Sequence, residues 1–217
     1  MATWIGLMRI ADYFMKRYEM LNNAEFLVGN IAPDCGVPNE DWSVFTPGKE
    51  ITHWHKKGSA EIDAEDFRQK YLQAKDEKYP FYLGYYFHLL TDIAWSEFYR
   101  RKKAEPLYAE GLAKDPKFIW TIKEDWYGQD FVFLQKNPDF VFFTVFAPIK
   151  SFANRYFDFY PAEAFSRQIG YITEFYLSAA AENREFPYLS AVEMDSFVAE
   201  TAAWIEREWQ EQSDEAL

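Results

Sequence analysis

The apolar positions along this chain recur mostly at helical spacing. In residues 3–20 they follow the i, i+3, i+4, i+7 pattern of an amphipathic helix, at Trp4, Leu7, Met8, Ala11, Phe14 and Met15. The same reading predicts further helices over residues 59–74, 80–103, 116–136, 161–183 and 190–211. Residues 140–158 are predicted as a helix broken at Pro148. Because convincing alternating strands are missing, we predict an all-α fold in a single domain over residues 1–217.

One long region interrupts this helical pattern. The apolar segment "AEFLVGNIA" stops at Pro33, and the residues that follow carry several chain breakers, at Gly36, Pro38, Pro47, Gly48 and Gly58. A loop of this length in a compact domain is usually functional or disordered. Because it also contains large aromatic residues, at Trp42, Phe45 and Trp54, we expect it to be ordered.

Composition narrows the functional classes. The 217 residues include 20% aromatics, and the formal net charge is −12. Such a charge repels nucleic acid and disfavours a nuclease, and a phosphate-containing substrate needs a local cation. The single cysteine, Cys35, and an N-terminus without a basic signal-peptide region favour a cytoplasmic location. The apolar run "FVFFTVFAPI" is too short for an integral membrane segment.

The stretch "FYLGYYFHLLTDIAW", residues 81–95, indicates a buried helix that carries His88 and Asp92. Residues four apart share one face of a helix, so the imidazole and the carboxylate are expected to be neighbours. A buried carboxylate is costly unless it is paired or binds a metal. The pair is therefore either a simple hydrogen-bonded couple or part of a metal site.

Further candidate ligands lie in the long loop and at its start. Only two other histidines exist, His53 and His55, both within "ITHWHKKG", and Asp34 follows Pro33. Two imidazoles and two carboxylates, from Asp34, His53, His88 and Asp92, make a suitable nitrogen and oxygen shell for zinc or another divalent ion. Taken singly, Asp34 is also typical of a turn residue, and His53 of an exposed loop.

The blocks "FLVGNIAPD", "THW" and "FHLLTDIAW" together resemble the zinc-dependent phospholipase C family, including its glycosylphosphatidylinositol-cleaving phospholipase D branch. The resemblance covers roughly residues 1–100. It implies a helical fold in which Asp34, His53, His88 and Asp92 hold one zinc ion. It also implies that Asp34 is a candidate catalytic base.

The chain departs from the family pattern at other metal ligands. Family members hold three metals with further histidines, but Leu7 and either Ser96 or Glu97 stand at two of those positions, and no histidine follows His88. Carboxylates are possible substitutes around a second ion (zinc, manganese or magnesium), at Glu97, Asp125 and Asp130. Asp125 and Asp130 are equally typical of a solvated helix face.

The resemblance implies a metal-dependent hydrolase that acts on a small-molecule phosphodiester through a metal-activated water. Trp42, Trp54 and Trp95 are candidates for the wall of its cleft, although aromatic residues more often belong to the core. If the further ligands are truly lost, the alternative is a non-catalytic binding protein on the same fold, either metal-stabilised or metal-free. The sequence does not indicate the oligomeric state.

Overall fold

The computed structural model describes residues 1–41 and 43–214, so Trp42, a predicted cleft residue, and the last three residues of the predicted domain lie outside the described residues. The described chain is mainly helical, with only two short strands, which confirms the all-α prediction. Its α-helices are α1 (Trp4–Arg17), α2 (Ala24–Gly29), α3 (Lys49–Thr52), α4 (Ala64–Tyr71), α5 (Tyr79–Lys103), α6 (Pro106–Lys114), α7 (Ile119–Lys136), α8 (Ala164–Leu177) and α9 (Ala191–Asp214).

Shorter elements connect these helices. Three 3-10 turns span Glu19–Leu21, Ala32–Asp34 and Pro116–Phe118, and a π-helical turn spans Phe142–Phe146. Within the long loop, β1 (Val37–Pro38) pairs antiparallel with β2 (Phe45–Thr46), Val37 opposite Thr46 and Pro38 opposite Phe45. The pair of strands and α3 are the regular elements in the described part of the predicted irregular region. None of the described helices combines the length and apolarity needed to cross a lipid bilayer.

Helix α5 runs through the centre of the molecule and is buried along most of its length. It crosses α2 at a very short distance, and two glycines make this possible. A Cβ on Gly84 would lie 2.1 Å from the carbonyl oxygen of Phe26, and one on Gly29 would lie 2.1 Å from that of Phe81. The two backbones therefore touch directly at this crossing, which fixes the end of α2 against the middle of α5.

Aromatic rings fill the space around α5. The ring of Phe87 lies 4.5 Å from that of Phe14 on α1, and Tyr85 stacks on Phe67 of α4 at 4.7 Å. On the other side, Phe81 stacks on Tyr156 at 3.6 Å. Many of the aromatic side chains thus pack in the core between elements, where large rings bury much surface.

Residues 140–158 correct the predicted broken helix. After the π-helical turn the chain is irregular up to α8. The side chain of Asn154 organises this segment, because it accepts hydrogen bonds from the backbone N–H groups of Tyr156 and Phe157 and donates to the carbonyls of Phe157 and Tyr160. The side chains of Tyr156 and Phe157 enter the core without helical spacing, so periodicity alone misreads the segment. Helix α6 is also absent from the predicted elements.

Candidate metal centre

His88 and Asp92 lie one turn apart on α5 and are both buried, with 0% and 2% of their surface exposed. The Nε2 atom of His88 lies 3.6 Å from Oδ2 of Asp92. This distance is longer than that of a hydrogen bond, which joins nitrogen and oxygen at about 2.7–3.2 Å. The two side chains therefore face each other without the short bond that a simple structural pair would form.

The orientation of His88 is set by α2. Its Nδ1 lies 2.8 Å from the backbone carbonyl oxygen of Asn30, directly after α2. Because a carbonyl can only accept, Nδ1 carries the proton and donates it. In the neutral ring Nε2 is then a bare lone pair, and this buried atom has no hydrogen-bond partner among the described residues. Fixing one ring nitrogen on a carbonyl is how proteins orient a metal-binding histidine.

His53 reaches the same point from the long loop. It follows the single turn of α3, which is held on α5 because the hydroxyl of Tyr85 donates a hydrogen bond to the carbonyl of Thr52. Nδ1 of His53 lies 2.9 Å from the hydroxyl of Thr52. Its Nε2 is buried, and no described residue forms a hydrogen bond with it. It lies 3.4 Å from Oδ1 of Asp34 and 3.5 Å from Oδ2 of Asp92.

Asp34 ends the 3-10 turn that follows α2. Its Oδ2 accepts a hydrogen bond of 3.1 Å from the indole N–H of Trp4, which leaves Oδ1 toward His53. The C-terminal third of the chain holds this turn in place. The hydroxyl of Tyr160 donates to the carbonyl of Ala32 at 2.7 Å, and the guanidinium of Arg167 donates to that of Cys35 at 2.6 Å.

Asp92 is shared in a similar way. Its Oδ1 accepts a hydrogen bond of 3.0 Å from the backbone N–H of Ala2, while Oδ2 faces both histidines. Each carboxylate therefore accepts a hydrogen bond from a neighbouring N–H with one oxygen, and its other oxygen faces the imidazoles.

The donor atoms have the spacing of a metal shell. Asp34, His53 and His88 each offer one ligand atom, and these lie within 4.8 Å of one another. Asp92 adjoins both imidazoles. The distances between an imidazole Nε2 and a carboxylate oxygen in this group are 3.4, 3.5 and 3.6 Å. Zinc bonds of about 2.0–2.1 Å imply edges of roughly 3.3–3.4 Å in a tetrahedral shell. Two bare Nε2 atoms beside two carboxylates at this spacing fit a divalent ion better than they fit hydrogen bonds.

The electrostatics agree with a cation site. Burial raises the pKa of Asp34, but the facing His53 and the charge of His88 outweigh burial, and the pKa lies below its ordinary value. The pKa of Asp92 is also lowered, because the N-terminal charge and the two histidines overcome its burial. Both groups are therefore carboxylates at neutral pH. Burial lowers the pKa of His88, but Asp92 and Asp34 outweigh this and raise it.

The structure does not bring the predicted second-ion ligands to this cluster. The carboxylate of Glu97 points to the surface, where the guanidinium of Arg100 donates to it at 2.9 and 2.7 Å. A side chain five residues after Asp92 on a helix lies on a different face, which explains why Glu97 is not at the cluster.

Asp130 and Asp125 are buried rather than solvated, but each is bound elsewhere. Asp130 accepts hydrogen bonds from the hydroxyls of Thr3 at 2.8 Å and Tyr176 at 2.6 Å. Asp125 accepts from the guanidinium of Arg184 at 2.5 Å and from the backbone N–H of Tyr188 at 2.7 Å. Asp130 joins α7 to the start of α1 and to α8, and Asp125 joins α7 to the segment between α8 and α9, so the expectation that they complete a second metal site is corrected.

A cavity of about 410 Å³ opens onto the cluster from the N-terminal side of α7. His53 and Asp92 lie in its wall, together with the N-terminal residues 1–4, the aromatic side chains of α5 and α7, and two lysines, Lys49 and Lys123. The volume suits a small ligand. Neither lysine was predicted, because they are remote in sequence and lie among unremarkable surface charges.

The remaining predicted aromatic residues have separate places. Trp95 is 1% exposed, packs at 5.0 Å on Trp126, and also borders this cavity. Trp54 instead packs on Phe67 and Tyr71 and lines a different cavity of about 460 Å³. The loop tryptophan Trp54 is thus not part of the wall around the cluster.

Comparison with known proteins agrees with these observations over part of the chain. Residues 7–95 match the family model described as zinc dependent phospholipase C, which confirms the resemblance. The matched residues include Asp34, His53, His88 and Asp92. No curated protein matches the chain in sequence, and no solved structure matches it. The match and the His/Asp group together support a metal-dependent hydrolase with zinc as its metal.

Proposed function

We propose, from the match of residues 7–95 to the zinc-dependent phospholipase C family model, that this chain is a metal-dependent phosphoesterase that cleaves a phosphodiester. Asp34, His53, His88 and Asp92 would hold the ion. The observation that carries the proposal is the pair of buried Nε2 atoms without hydrogen bonds, each facing a carboxylate. A divalent ion bound there supplies Lewis-acid polarisation of a phosphoryl oxygen and lowers the pKa of a bound water.

The chain's own residues set up this chemistry. Asn30 and Thr52 hold the two imidazoles at Nδ1, which leaves the lone pair of each Nε2 free to bind the ion. Trp4 and the backbone of Ala2 hold Asp34 and Asp92 by one oxygen each. Asp34 is also our candidate for the group that accepts a proton from the attacking water. Since His53 and Asp92 border the cavity, a phosphoester can approach the ligand set from that side.

A second function is favoured by one specific observation. The four proposed ligands suffice to fill a tetrahedral shell, and closed sites are typically structural. Glu97 and Asp130, the expected ligands of a second ion, are bound elsewhere. The alternative is therefore a metal-stabilised binding protein on the same fold, in which the ion supports the structure and turns nothing over.

Turnover separates the two functions. The protein is loaded in turn with zinc, manganese and magnesium and assayed on bis(p-nitrophenyl) phosphate and on phosphatidylcholine micelles. The enzyme proposal expects metal-dependent hydrolysis that Asp34→Asn abolishes and that Glu97→Gln, a control at an exposed position, leaves unchanged. Bound metal without hydrolysis of either substrate would favour the binding protein.

A further inference from the structure

The charge balance of the proposed metal centre leaves a phosphate uncompensated. Two neutral imidazoles and two carboxylates carry a charge of −2, which a divalent ion cancels. A phosphoester brought to this centre adds negative charge inside a chain whose net charge is −12. Burying that charge requires nearby cations or hydrogen-bond donors.

Two lysines lie in the wall of the same cavity, which Met1 also lines. Lys49 is the first residue of α3, the turn that carries His53, and Lys123 lies on α7. Both are half-buried. Within residues 1–41 and 43–214, neither ammonium has a carboxylate within ion-pair distance. Lys49 instead lies 2.6 Å from the thioether sulfur of Met1, and Lys123 lies 4.7 Å from the centre of the Trp120 ring.

The two ammonium groups share this cavity with His53 and Asp92, and their charges interact. The pKa of Lys123 is lowered, first by burial and then by the charge of Lys49, while the charge of Asp34 opposes the shift. Two like charges that share one cavity and have no carboxylate within ion-pair distance repel each other, so an anion bound between them is stabilised.

We propose that Lys49 and Lys123 form the anion-binding wall of this cavity and receive the phosphoryl group of the substrate beside the metal centre. This assignment rests on the proposed function, which it deepens by naming the residues that bind the substrate's charge. The wall also holds aromatic side chains, among them Trp95, Tyr99, Trp126 and Tyr127. A cavity of about 410 Å³ that is lined by two lysines and several aromatic residues takes a phosphorylated head group or another small phosphoester.

Calorimetric titration with inorganic phosphate tests the assignment. The double variant Lys49→Met/Lys123→Met is compared with Lys57→Met/Lys136→Met, which removes the same charge at two exposed positions, one in the same loop and one on α7. Charge-assisted hydrogen bonds imply a loss of at least about tenfold in affinity for each lysine removed. We expect this loss in the first variant alone, with its zinc content and melting temperature unchanged. Dimethyl phosphate, titrated in parallel, reports whether a diester is received in the same way.

The outcomes separate this assignment from the proposed function. If the Lys49/Lys123 variant binds phosphate as tightly as the parent, the assignment is overturned, whether or not zinc is bound. If the parent holds no metal, the proposed function fails, and the same titration of metal-free protein still decides between a lysine-dependent phosphate site and none. Equal losses in both double variants would mean a general charge effect and would also overturn it.

Discussion

The Nδ1–H of His88 donates a hydrogen bond of 2.8 Å to the backbone carbonyl of Asn30, and this contact orients a buried imidazole toward two carboxylates. The contact joins the end of α2 to the middle of α5. It therefore makes the geometry of the candidate metal centre depend on how closely these two helices approach.

The two loop histidines are expected to differ in metal binding. His53 is 3% exposed with Nε2 toward Asp34 and Asp92, whereas the half-buried ring of His55 lies 6.3 Å from that of His53. Zinc that binds only the folded state raises stability by about 4 kcal/mol at a thousandfold excess over the dissociation constant. We predict that His53→Ala abolishes the zinc-induced rise in melting temperature and that His55→Ala retains it. The reverse pattern would place the ligand two residues further along the loop.

The close crossing of α2 and α5 is expected to control the metal centre from a distance. A Cβ at position 84 would meet the carbonyl oxygen of Phe26 at 2.1 Å and the backbone nitrogen of Asn30 at 2.9 Å. Gly84→Ala should therefore push α2 away, cost about 1–3 kcal/mol of unfolding free energy and weaken zinc binding.

Gly170, in the exposed part of α8, is the matched control for this substitution. A Cβ there meets nothing within 4 Å, so Gly170→Ala should stabilise by about 0.5–1 kcal/mol and leave zinc affinity unchanged. Chemical unfolding and zinc titration of both variants provide the check. Unchanged zinc affinity in a folded Gly84→Ala protein would mean that the Asn30 contact does not govern the site.

Zinc binding should weaken as the pH falls. The pKa of His88 is raised above its ordinary 6.5 because Asp92 and Asp34 outweigh its burial, and zinc must displace the proton that this raised pKa retains. In metal-free protein, the contribution of His88 to stability changes with pH in the opposite direction. There the stability from protonated His88 is fully present below pH 6.5 and is lost as the pH rises through the raised value. Melting curves at pH 5.5 and 8, with zinc and with chelator, test this. A zinc-induced shift that grows toward low pH would contradict it.

Asp130 should act on stability rather than on the metal. Burial raises its pKa from 3.8 to about 7, against the hydrogen bonds from Tyr176 and Thr3. Stability present at low pH is therefore lost as the pH rises from 3.8 through about 7, by up to about 4 kcal/mol. We predict that Asp130→Asn narrows the difference in unfolding free energy between pH 5 and pH 8, measured in metal-free protein. The exposed Asp139→Asn should not, and an equal pH dependence in all three proteins would refute this role.

Local spacing made part of this structure predictable. The bounds of α5 agree with the predicted 80–103 within one residue, and the i, i+4 rule alone puts His88 and Asp92 on one face. Helices α1, α7 and α9 also lie near their predicted positions, whereas the helices predicted over 59–74 and 161–183 are shorter, as α4 (Ala64–Tyr71) and α8 (Ala164–Leu177). Such features depend on residues that are neighbours in the sequence, so they can be predicted from one sequence alone.

Features that depend on the packing of distant segments were not predictable in this way. Tyr160 and Arg167 hold the Asp34 turn, although they lie 128 and 132 residues after the carbonyl groups that they bind. Lys49 and Lys123 meet in one cavity only because α3 and α7 pack around α5. Glu97 and Asp130 were predicted as ligands from their position in the sequence, but the direction of each side chain is set by its neighbours, Arg100 and Tyr176.

The most direct test of the central claim is the zinc content of purified protein, measured by elemental analysis after zinc loading and dialysis. The wild-type protein is compared with the double variant His53→Ala/His88→Ala, which removes both buried Nε2 atoms that have no hydrogen bond. We predict about one zinc ion per wild-type chain and none in the double variant, because the two remaining carboxylates are too few ligands to hold zinc. A wild-type protein without zinc, or a double variant that retains it, would contradict the metal centre described here.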